Sequence, residues 1–597
     1  MFLKSILIVV TLLLRPCLNQ NPPAPVVDLG YARYQGYYNS TSDLNIYKGI
    51  RYAAPPVGKL RWQLPQIPTE NRSQVIPAVE YAPQCPQSGF TPNPRRAVPS
   101  GSEDCLFVNV LGPPNKTMLP VLVWIHGGGY GLLNGAVDPS PVMHTNGNSF
   151  IIVTIQYRLG AFGFLSSAEL ARSGVPNAGI HDQFFALQWV QKHIHHFGGD
   201  PTQVTIAGNS AGGGSAMLLG MAYGGAYNNS LFNGIIASSP YLPTQWDYDG
   251  IRPTEYYYRF ADSVGCLNRN QANESVFECL VAADTVDLQN ASDYVSTSGL
   301  FGQWAFIPVT DGTLIQERPV TQLLGGGELN GVRVLSSNME NEGPDFTPRN
   351  ITNEEAFREF LSVNYPFLSE GNITNIMALY SVPANASDII VESDGVNPPY
   401  STTNGGWASG WDQAAINLYG ETTFSCPSYW LADAYAKKGR AWHLQFSVPP
   451  AQHAYDTDQL GVPADVEGTG MDEAFRTAYH HIWGNFVVRG DPTLTQAQKN
   501  TPNHENITAA GTGTWLEWQG GPGQNWMLNM NMTGGMPITT NITYNGVGIP
   551  VTSYVPGNDS SWPPLVADLK IAEGSSWEGG RGERCQLWAD LGPWVQE

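Results

Sequence analysis

The chain has 597 residues, of which 42% are hydrophobic and 14% are charged, and its formal net charge at pH 7 is −21. This acidic balance argues against nucleic acid and anionic membranes as partners, because both attract basic surfaces. The 64 glycines and 45 prolines exceed the average but fall short of a disordered composition, so we expect a loop-rich globular protein.

The first segment is typical of a secretory signal peptide. Lys4 precedes an apolar run over residues 6–14, which is too short to span a bilayer comfortably. Cleavage near residues 18–20 divides the chain into a signal peptide, 1–19, and a single predicted catalytic domain, 20–597. No later stretch is long and apolar enough for a membrane helix or an anchor tail. The sequence therefore predicts a secreted, extracellular protein without a membrane anchor.

A glycine-rich loop follows a predicted buried strand over residues 120–125. This strand leads into His126-Gly127-Gly128-Gly129. Three successive glycines allow backbone N–H groups to face a ligand, as in the oxyanion loops of lipases and esterases. A flexible turn is the alternative, but a turn seldom needs three glycines.

A serine lies between glycines in Gly208-Asn209-Ser210-Ala211-Gly212, directly after the apolar run 204–207. A strand that turns sharply into a helix at such a site exposes the serine hydroxyl above the sheet. The N–H of Ala211 then lies at the positive end of the helix. This pattern is weak alone, but together with the glycine loop it predicts a nucleophile, Ser210, and an oxyanion hole formed by Gly128, Gly129 and Ala211.

Several further motifs show a resemblance to the type-B carboxylesterase/lipase family, which includes the cholinesterases, and most of all to its secreted fungal members. The motifs are 47–56, 102–106, 157–164, 182–183, 197–201 and 483–486. The resemblance covers roughly residues 28–490, whereas the C-terminal segment after about residue 500 diverges. It implies an α/β-hydrolase fold, with a large, mostly parallel twisted sheet, helices on both faces and a small antiparallel sheet around residues 28–50.

The resemblance also implies a catalytic acid after the nucleophile, because the chain order in this fold is serine, acid, histidine. A predicted strand over 331–337 is followed by three acidic candidates, Glu340, Glu342 and Asp345. The family places its glutamate directly before a glycine, which favours Glu342, with Glu340 as the runner-up. A solvated acidic loop is the alternative without a catalytic role.

The general base must be one of the histidines that follow the acid. His453 lies in a loop just past the predicted strand 442–446, where a mobile base is expected. The family usually has glycine after this histidine, and here the residue is Ala454. The other candidates lie in the predicted strand, in a predicted helix over 471–489 and in a polar loop: His443, His480, His481 and His504.

The cysteines fit an oxidising compartment. Cys17 belongs to the predicted signal peptide, and the even number that remains indicates disulfides, although six cysteines allow fifteen pairings. The resemblance implies the pairs Cys85–Cys105, Cys266–Cys279 and Cys426–Cys585. No Cys-x-x-Cys motif occurs, so no metal site is expected, and the predicted chemistry needs no cofactor.

Asn-x-Ser/Thr sequons occur along the whole chain and predict a glycoprotein. They begin at Asn39, Asn71, Asn115, Asn228, Asn273, Asn290, Asn350, Asn372, Asn385, Asn506, Asn531, Asn541 and Asn558.

Two departures from the family bear on the substrate, a small-molecule ester. Asn209 stands where glutamate is common, and the loop between Cys85 and Cys105 contains no tryptophan. In cholinesterases an aromatic residue of that loop faces the quaternary ammonium, so choline esters are not expected. The family's fungal lipases have a longer amphipathic lid there, whereas this loop is short and polar. The sequence thus favours a carboxylesterase for soluble or moderately apolar esters.

The alternatives are a lipase or sterol esterase and, from another class, a non-catalytic cholinesterase-like binding protein, which typically lacks the serine. The oligomeric state is not indicated by the sequence. Two pairs, Arg61 with Glu103 and Arg158 with Asp182, resemble buried ion pairs of the family and are expected to orient loops. Ser239 is a candidate for a supporting hydroxyl near the catalytic acid.

Overall fold

A computed structural model describes residues 24–89, 101–267, 275–381, 395, 408, 410–457, 473–499, 515–521, 523–544, 547–558 and 560–595. Some sequence predictions lie outside these residues, namely the signal peptide with Cys17, the sequons at Asn273, Asn385 and Asn506, His504, and residues 90–100 of the Cys85–Cys105 loop.

The predicted small N-terminal sheet is present and is mixed. It contains β1 (Val26–Asp28), β2 (Ala32–Gln35) and β5 (Asn71–Pro77), in the order β1-β2-β5. β1 pairs antiparallel with β2, whereas β2 pairs parallel with β5. The rest of the predicted range is different, because the strands over 37–39 and 44–51 join the large sheet instead. Leu44 and Ile46 pack into the hydrophobic core on one face of that sheet, and Ile50 packs into the core on the other.

The large sheet has eleven strands among the described residues. Their bounds are β3 (Tyr37–Asn39), β4 (Leu44–Arg51), β6 (Phe107–Gly112), β7 (Leu119–Ile125), β8 (Ile151–Ile155), β9 (Gly199–Asn209), β10 (Gly234–Ser238), β11 (Arg333–Met339), β12 (Arg440–Phe446), β13 (Trp526–Thr533) and β16 (Val566–Glu573). They are ordered β16-β13-β12-β11-β10-β9-β7-β8-β6-β4-β3 across the sheet. The seven strands from β13 to β8 in this order run parallel, and the strands outside them pair antiparallel.

The central strands are apolar along their whole length because both faces of the sheet are covered. In β7, Val121, Val123 and Ile125 belong to one hydrophobic core, while Leu122 and Trp124 belong to the other. Strands that are buried on both faces read as continuous apolar runs rather than alternating patterns. The α/β architecture predicted from the sequence is therefore confirmed.

Helices cover both faces of the sheet. Leu187 and Val190, in the helix Ala178–His193, lie in the first core, and Phe475 and Phe486, in the helix Glu473–Arg489, lie in the second. The helices are α1 (Ser140–Thr145), α2 (Gly160–Phe164), α3 (Leu170–Ser173), α4 (Ala178–His193), α5 (Ala211–Met221), α6 (Ile251–Ser263), α7 (Val276–Ala282), α8 (Thr285–Thr297), α9 (Pro319–Leu324), α10 (Glu354–Asn364), α11 (Glu370–Leu379), α12 (Gly410–Gly420), α13 (Cys426–Lys438), α14 (Glu473–Arg489), α15 (Gln496–Lys499) and α16 (Trp577–Val595).

The divergent C-terminal segment is built into this architecture. β13 adds a parallel strand next to β12, and β16 then pairs antiparallel with β13 at the sheet edge. A separate hairpin, β14 (Met536–Tyr544) and β15 (Val547–Val555), lies between them in sequence. α16 follows and packs against α13 and α9. Within the described residues, no helix combines the length and apolarity needed to cross a membrane.

The structure contains the three disulfides that the resemblance implies, Cys85–Cys105, Cys266–Cys279 and Cys426–Cys585. It also contains both ion pairs. Arg61 contacts Glu103 at 2.7 Å and donates to three carbonyl groups at the end of α7, so this pair fixes the Cys85–Cys105 region to the body. Arg158 contacts Asp182 of α4 at 2.7 Å, and both side chains are buried.

Candidate active site

Ser210 lies at the sharp turn where β9 ends and α5 begins. Its backbone angles, φ 58° and ψ −125°, are rare for residues other than glycine. A hydrogen bond from Ser210 N to the Ser238 carbonyl at 3.0 Å holds the turn. The helix packs so closely on β7 that a Cβ on Gly212 would collide with the carbonyl oxygen of Ile125. The glycine pattern around the serine therefore reflects close backbone packing.

The side chains of Ser210, His453 and Glu342 meet in the structure. His453 Nε2 lies 2.8 Å from Ser210 Oγ, and His453 Nδ1 lies 2.6 Å from Glu342 Oε2. Ser210 follows β9, Glu342 follows β11 and His453 follows β12. These strands belong to the parallel run β9-β10-β11-β12, so their carboxyl ends lie at the same edge of the sheet. The other oxygen of Glu342, Oε1, accepts the backbone N–H of Met339 at 2.7 Å.

The competing candidates have other surroundings. His443 lies on β12, fully buried, where its ring nitrogens contact Ser336 and Asn338, and burial lowers its pKa to about 3. Both ring nitrogens of His453 are engaged by Ser210 and Glu342, which leaves none for Glu340. Burial raises the pKa of the Asp345 carboxyl to about 6.

The glycine loop lies directly against the serine. A Cβ on Gly127 would lie 3.1 Å from the Cβ of Ser210. The hydrogen bonds among the described residues leave the backbone N–H groups of Gly128, Gly129 and Ala211 without a protein acceptor. Unpaired N–H groups beside a serine hydroxyl can bind a developing oxyanion.

An aromatic wall, formed by Trp304, Phe346 and Phe424, surrounds these groups. Trp304 packs on Gly129 so tightly that a Cβ there would collide with the indole ring. The rings of Phe346 and Phe424 have their centroids 5.1 and 4.3 Å from that of His453. The imidazole is thus packed between apolar rings and is shielded from water on two sides.

A short π-helix, Glu421–Ser425, carries Phe424 to His453. The segment is anchored at its first residue, since Glu421 accepts two hydrogen bonds from Arg584 of α16 at 2.8 and 2.7 Å. It is also anchored just past its last residue, where Cys426 is bonded to Cys585 of the same helix. The helix α16, which is distant in sequence, therefore holds the π-helix near both of its ends.

Sequence reasoning missed the aromatic wall and its support. Large aromatic residues are common in cores, so no local pattern distinguishes Phe424, Phe346 or Trp304 from ordinary core residues. Ser239 was a candidate supporting hydroxyl, but its Oγ is buried without a partner among the described residues. Its neighbour Ser238 instead accepts a hydrogen bond from Ser337 at 3.0 Å.

The described residues contain no group of three or more His, Cys, Asp and Glu side chains that could hold a metal ion. The chemistry that the site can support rests on the serine, the imidazole, the carboxylate and the free backbone donors.

Comparison with known proteins places these residues in context. The model of the carboxylesterase family matches residues 23–519. Carboxylesterase patB of Aspergillus clavatus is 31% identical over 538 residues, covering 81% of this chain and 91% of that protein. Secreted lipase 4 of Gibberella zeae is 30% identical over 465 residues, covering 75% and 80%. The crystal structure of Aspergillus niger EstA superposes with a TM-score of 0.72 at 26% identity, covering 96% of this chain and 99% of that one.

Proposed function

Because this chain belongs to the carboxylesterase family and is a carboxylic ester hydrolase, we propose that it cleaves esters through an acyl-enzyme formed on Ser210. The observation that carries this proposal is the engagement of both His453 nitrogens, at 2.8 Å by the serine hydroxyl and at 2.6 Å by the Glu342 carboxylate. Such an arrangement activates a serine hydroxyl that is otherwise a poor nucleophile.

In the proposed mechanism His453 keeps its proton on Nδ1 and donates a hydrogen bond from there to the Glu342 carboxylate, while its Nε2 accepts the hydrogen bond of the Ser210 hydroxyl. As the serine oxygen attacks the ester carbonyl, its proton moves to Nε2, and the Glu342 carboxylate stabilises the imidazolium that forms. The N–H groups of Gly128, Gly129 and Ala211 bind the oxyanion, and each such donor is worth about 3 kcal/mol of transition-state stabilisation.

The imidazolium then returns its proton to the leaving alcohol, which departs and leaves an acyl-serine. Water then enters and attacks the acyl carbonyl as His453 takes one of its protons. The imidazolium returns this proton to Ser210 Oγ as the bond between that oxygen and the acyl carbon breaks, which releases the acid and regenerates the serine. The apolar rings of Phe346 and Phe424 keep other water from the imidazole, which strengthens its electrostatic contacts.

The proposed substrates are soluble or moderately apolar esters with small acyl groups. Trp304 presses on the oxyanion loop and also contacts Tyr241 and Phe346, with ring centroids 5.9 and 6.4 Å apart, so one side of the reaction site is closed by a fixed ring. Both a carboxylesterase and a lipase occur among the relatives, so a preference for long acyl chains is the competing outcome.

The experiment uses p-nitrophenyl esters from acetate to palmitate, with the purified chain and two variants. Ser210→Ala is expected to be secreted and to hydrolyse the acetate no faster than the blank, whereas Ser239→Ala, a buried serine with an unbonded hydroxyl, keeps wild-type activity. An organophosphate is expected to label Ser210. Near-normal turnover by Ser210→Ala, or an adduct on another serine, would remove Ser210 as nucleophile, and faster turnover of palmitate than of acetate would identify a lipase.

We also propose that the protein is exported and glycosylated. The apolar N-terminal segment, the three disulfides and the many sequons support this, and one of the relatives is named a secreted lipase. Expression in a yeast host, with assay of the medium and digestion by an endoglycosidase, tests it. Activity confined to the cells, or no mobility change on digestion, contradicts it.

A further inference from the structure

A buried carboxyl group lies beneath the reaction site and is not used by the mechanism. Asp456 follows His453 by three residues and is fully buried. Its Oδ1 accepts a hydrogen bond from Asn209 Nδ2 at 3.1 Å, and its Oδ2 accepts one from the Tyr479 hydroxyl at 3.0 Å. The Ser238 hydroxyl is a third partner of this carboxyl group.

These partners come from the elements that must be aligned for catalysis. Asn209 is the last residue of β9 and precedes the nucleophile, Ser238 ends β10, and Tyr479 lies on α14. Asp456 belongs to the loop that carries the general base. A buried carboxylate is tolerated only with its hydrogen-bond partners in place, so this loop cannot shift without breaking them.

The identity of residue 209 fits this arrangement. A carboxylate at 209 would face the Asp456 oxygen at about the 3.1 Å now spanned by the amide, and two buried like charges at that distance cannot both be ionised. The amide of Asn209 instead donates to Asp456. Asparagine at position 209 therefore pairs with the buried Asp456 without placing a second charge beside it.

We propose that Asp456 is a positioning residue that, through Asn209 and Tyr479, fixes the loop of His453 at hydrogen-bond distance from Ser210. This inference rests on the proposed role of Ser210 as nucleophile. Asp456 touches neither substrate nor reacting atoms in this assignment, and acts by holding the base where the serine can use it.

The proposed role of Asp456 predicts a particular dependence of the reaction rate on pH. The nearby carboxyl of Glu342 and the ring of His453 act on it in opposite senses, Tyr479 donates to it, and burial raises its pKa to about 6. Asp456 is therefore ionised above about pH 6 and neutral below. The rate difference between the wild type and Asp456→Asn is expected to grow as the pH rises through 6, which a purely steric role would not produce.

The decisive experiment is an exchange of the two partners. Asn209 and Tyr479 donate to different oxygens of Asp456, so in Asp456→Asn an NH₂ group replaces one of the two acceptors and one of the two hydrogen bonds is lost. In Asn209→Asp two carboxylates oppose each other. The double variant Asn209→Asp/Asp456→Asn restores both bonds, because the amide introduced at position 456 donates to the carboxylate introduced at position 209 and accepts from Tyr479. Each single variant is expected to lose about 10- to 100-fold in kcat with little change in KM, since small misplacements of a catalytic group have effects of this size.

The double variant is expected to regain at least about tenfold over Asn209→Asp at pH 8, with kcat/KM on p-nitrophenyl acetate as the readout. The matched control is Asp433→Asn, which changes a half-buried aspartate of α13 whose carboxylate accepts a hydrogen bond from the Trp518 indole, and which is expected to keep wild-type kcat. Wild-type kcat in both single variants, or additive losses in the double variant, overturns the proposal. Failure of the wild type to show Ser210-dependent turnover is a failure of the proposed function instead.

Discussion

Replacing Glu342 by glutamine tests how the carboxylate supports the base. Glu342 accepts two hydrogen bonds, from His453 Nδ1 at 2.6 Å and from Met339 N at 2.7 Å, and it uses a different oxygen for each. A glutamine offers one acceptor oxygen. If that oxygen serves Met339, the amide NH₂ faces Nδ1 and places the histidine proton on Nε2, where it can no longer accept from Ser210.

The magnitude follows from the same geometry. Two unit charges 2.6 Å apart interact by about 6 kcal/mol at an effective dielectric constant of about 20. Because each 1.4 kcal/mol is a tenfold change in rate, we expect kcat to fall about 10⁴-fold, with KM nearly unchanged.

The assay is hydrolysis of p-nitrophenyl acetate, followed together with the rate of organophosphate labelling of Ser210, which should fall in parallel. Glu340→Gln changes the other glutamate of the same loop and serves as the control, with activity close to wild type. Activity above a tenth of wild type in Glu342→Gln, or an equal loss in Glu340→Gln, would refute the assignment of the acid.

Three further outcomes are expected. Trp304→Ala removes the ring that closes one side of the site, so kcat/KM for p-nitrophenyl hexanoate relative to acetate should rise by about tenfold or more; an unchanged ratio would show that the ring does not limit the acyl group. His443 has its pKa lowered by burial from the ordinary 6.5 to about 3, so the unfolded chain alone binds this proton below pH 6.5 and about 5 kcal/mol of stability is lost as the pH falls towards 3. The thermal midpoint of His443→Gln should therefore vary less between pH 6.5 and 4 than that of the wild type. Replacing both cysteines of Cys426–Cys585, which are 159 residues apart, should cost about 5 kcal/mol, against about 3 for Cys266–Cys279, 13 residues apart, and thermal midpoints measure the order.

Much of the fold could be predicted from the sequence, because strands and their following turns are indicated by residues that are close together in the chain. The apolar runs before Gly127 and Gly208 are buried strands, and they lie in β7 and β9, which are neighbours in the sheet. Of the acids, Glu342 could be preferred over Glu340 only through the family resemblance, since both follow the same strand and the choice depends on which carboxylate faces His453.

The parts that could not be predicted depend on contacts between distant residues. Phe424 reaches His453 because a π-helix turns it there, and the residues that hold this turn lie in a segment where the sequence resembles the family least. Asp456 is a near neighbour of His453 in sequence, but its contact with Asn209 spans 247 residues and needs the sheet to be assembled. The mixed N-terminal sheet likewise depends on β5, which lies beyond the predicted range.

The ion pair between Glu421 and α16 has a consequence for when catalytic activity appears during synthesis of the chain. A ribosome makes the chain from its amino end, so the stretch with Arg584 and Cys585 emerges after every reactive group has been completed. Until that stretch docks, the π-helix carrying Phe424 lacks the ion pair and the disulfide that α16 supplies. The nascent polypeptide is thus expected to remain inactive as an esterase during translation, with the docking of its C-terminal helix as the last step of maturation.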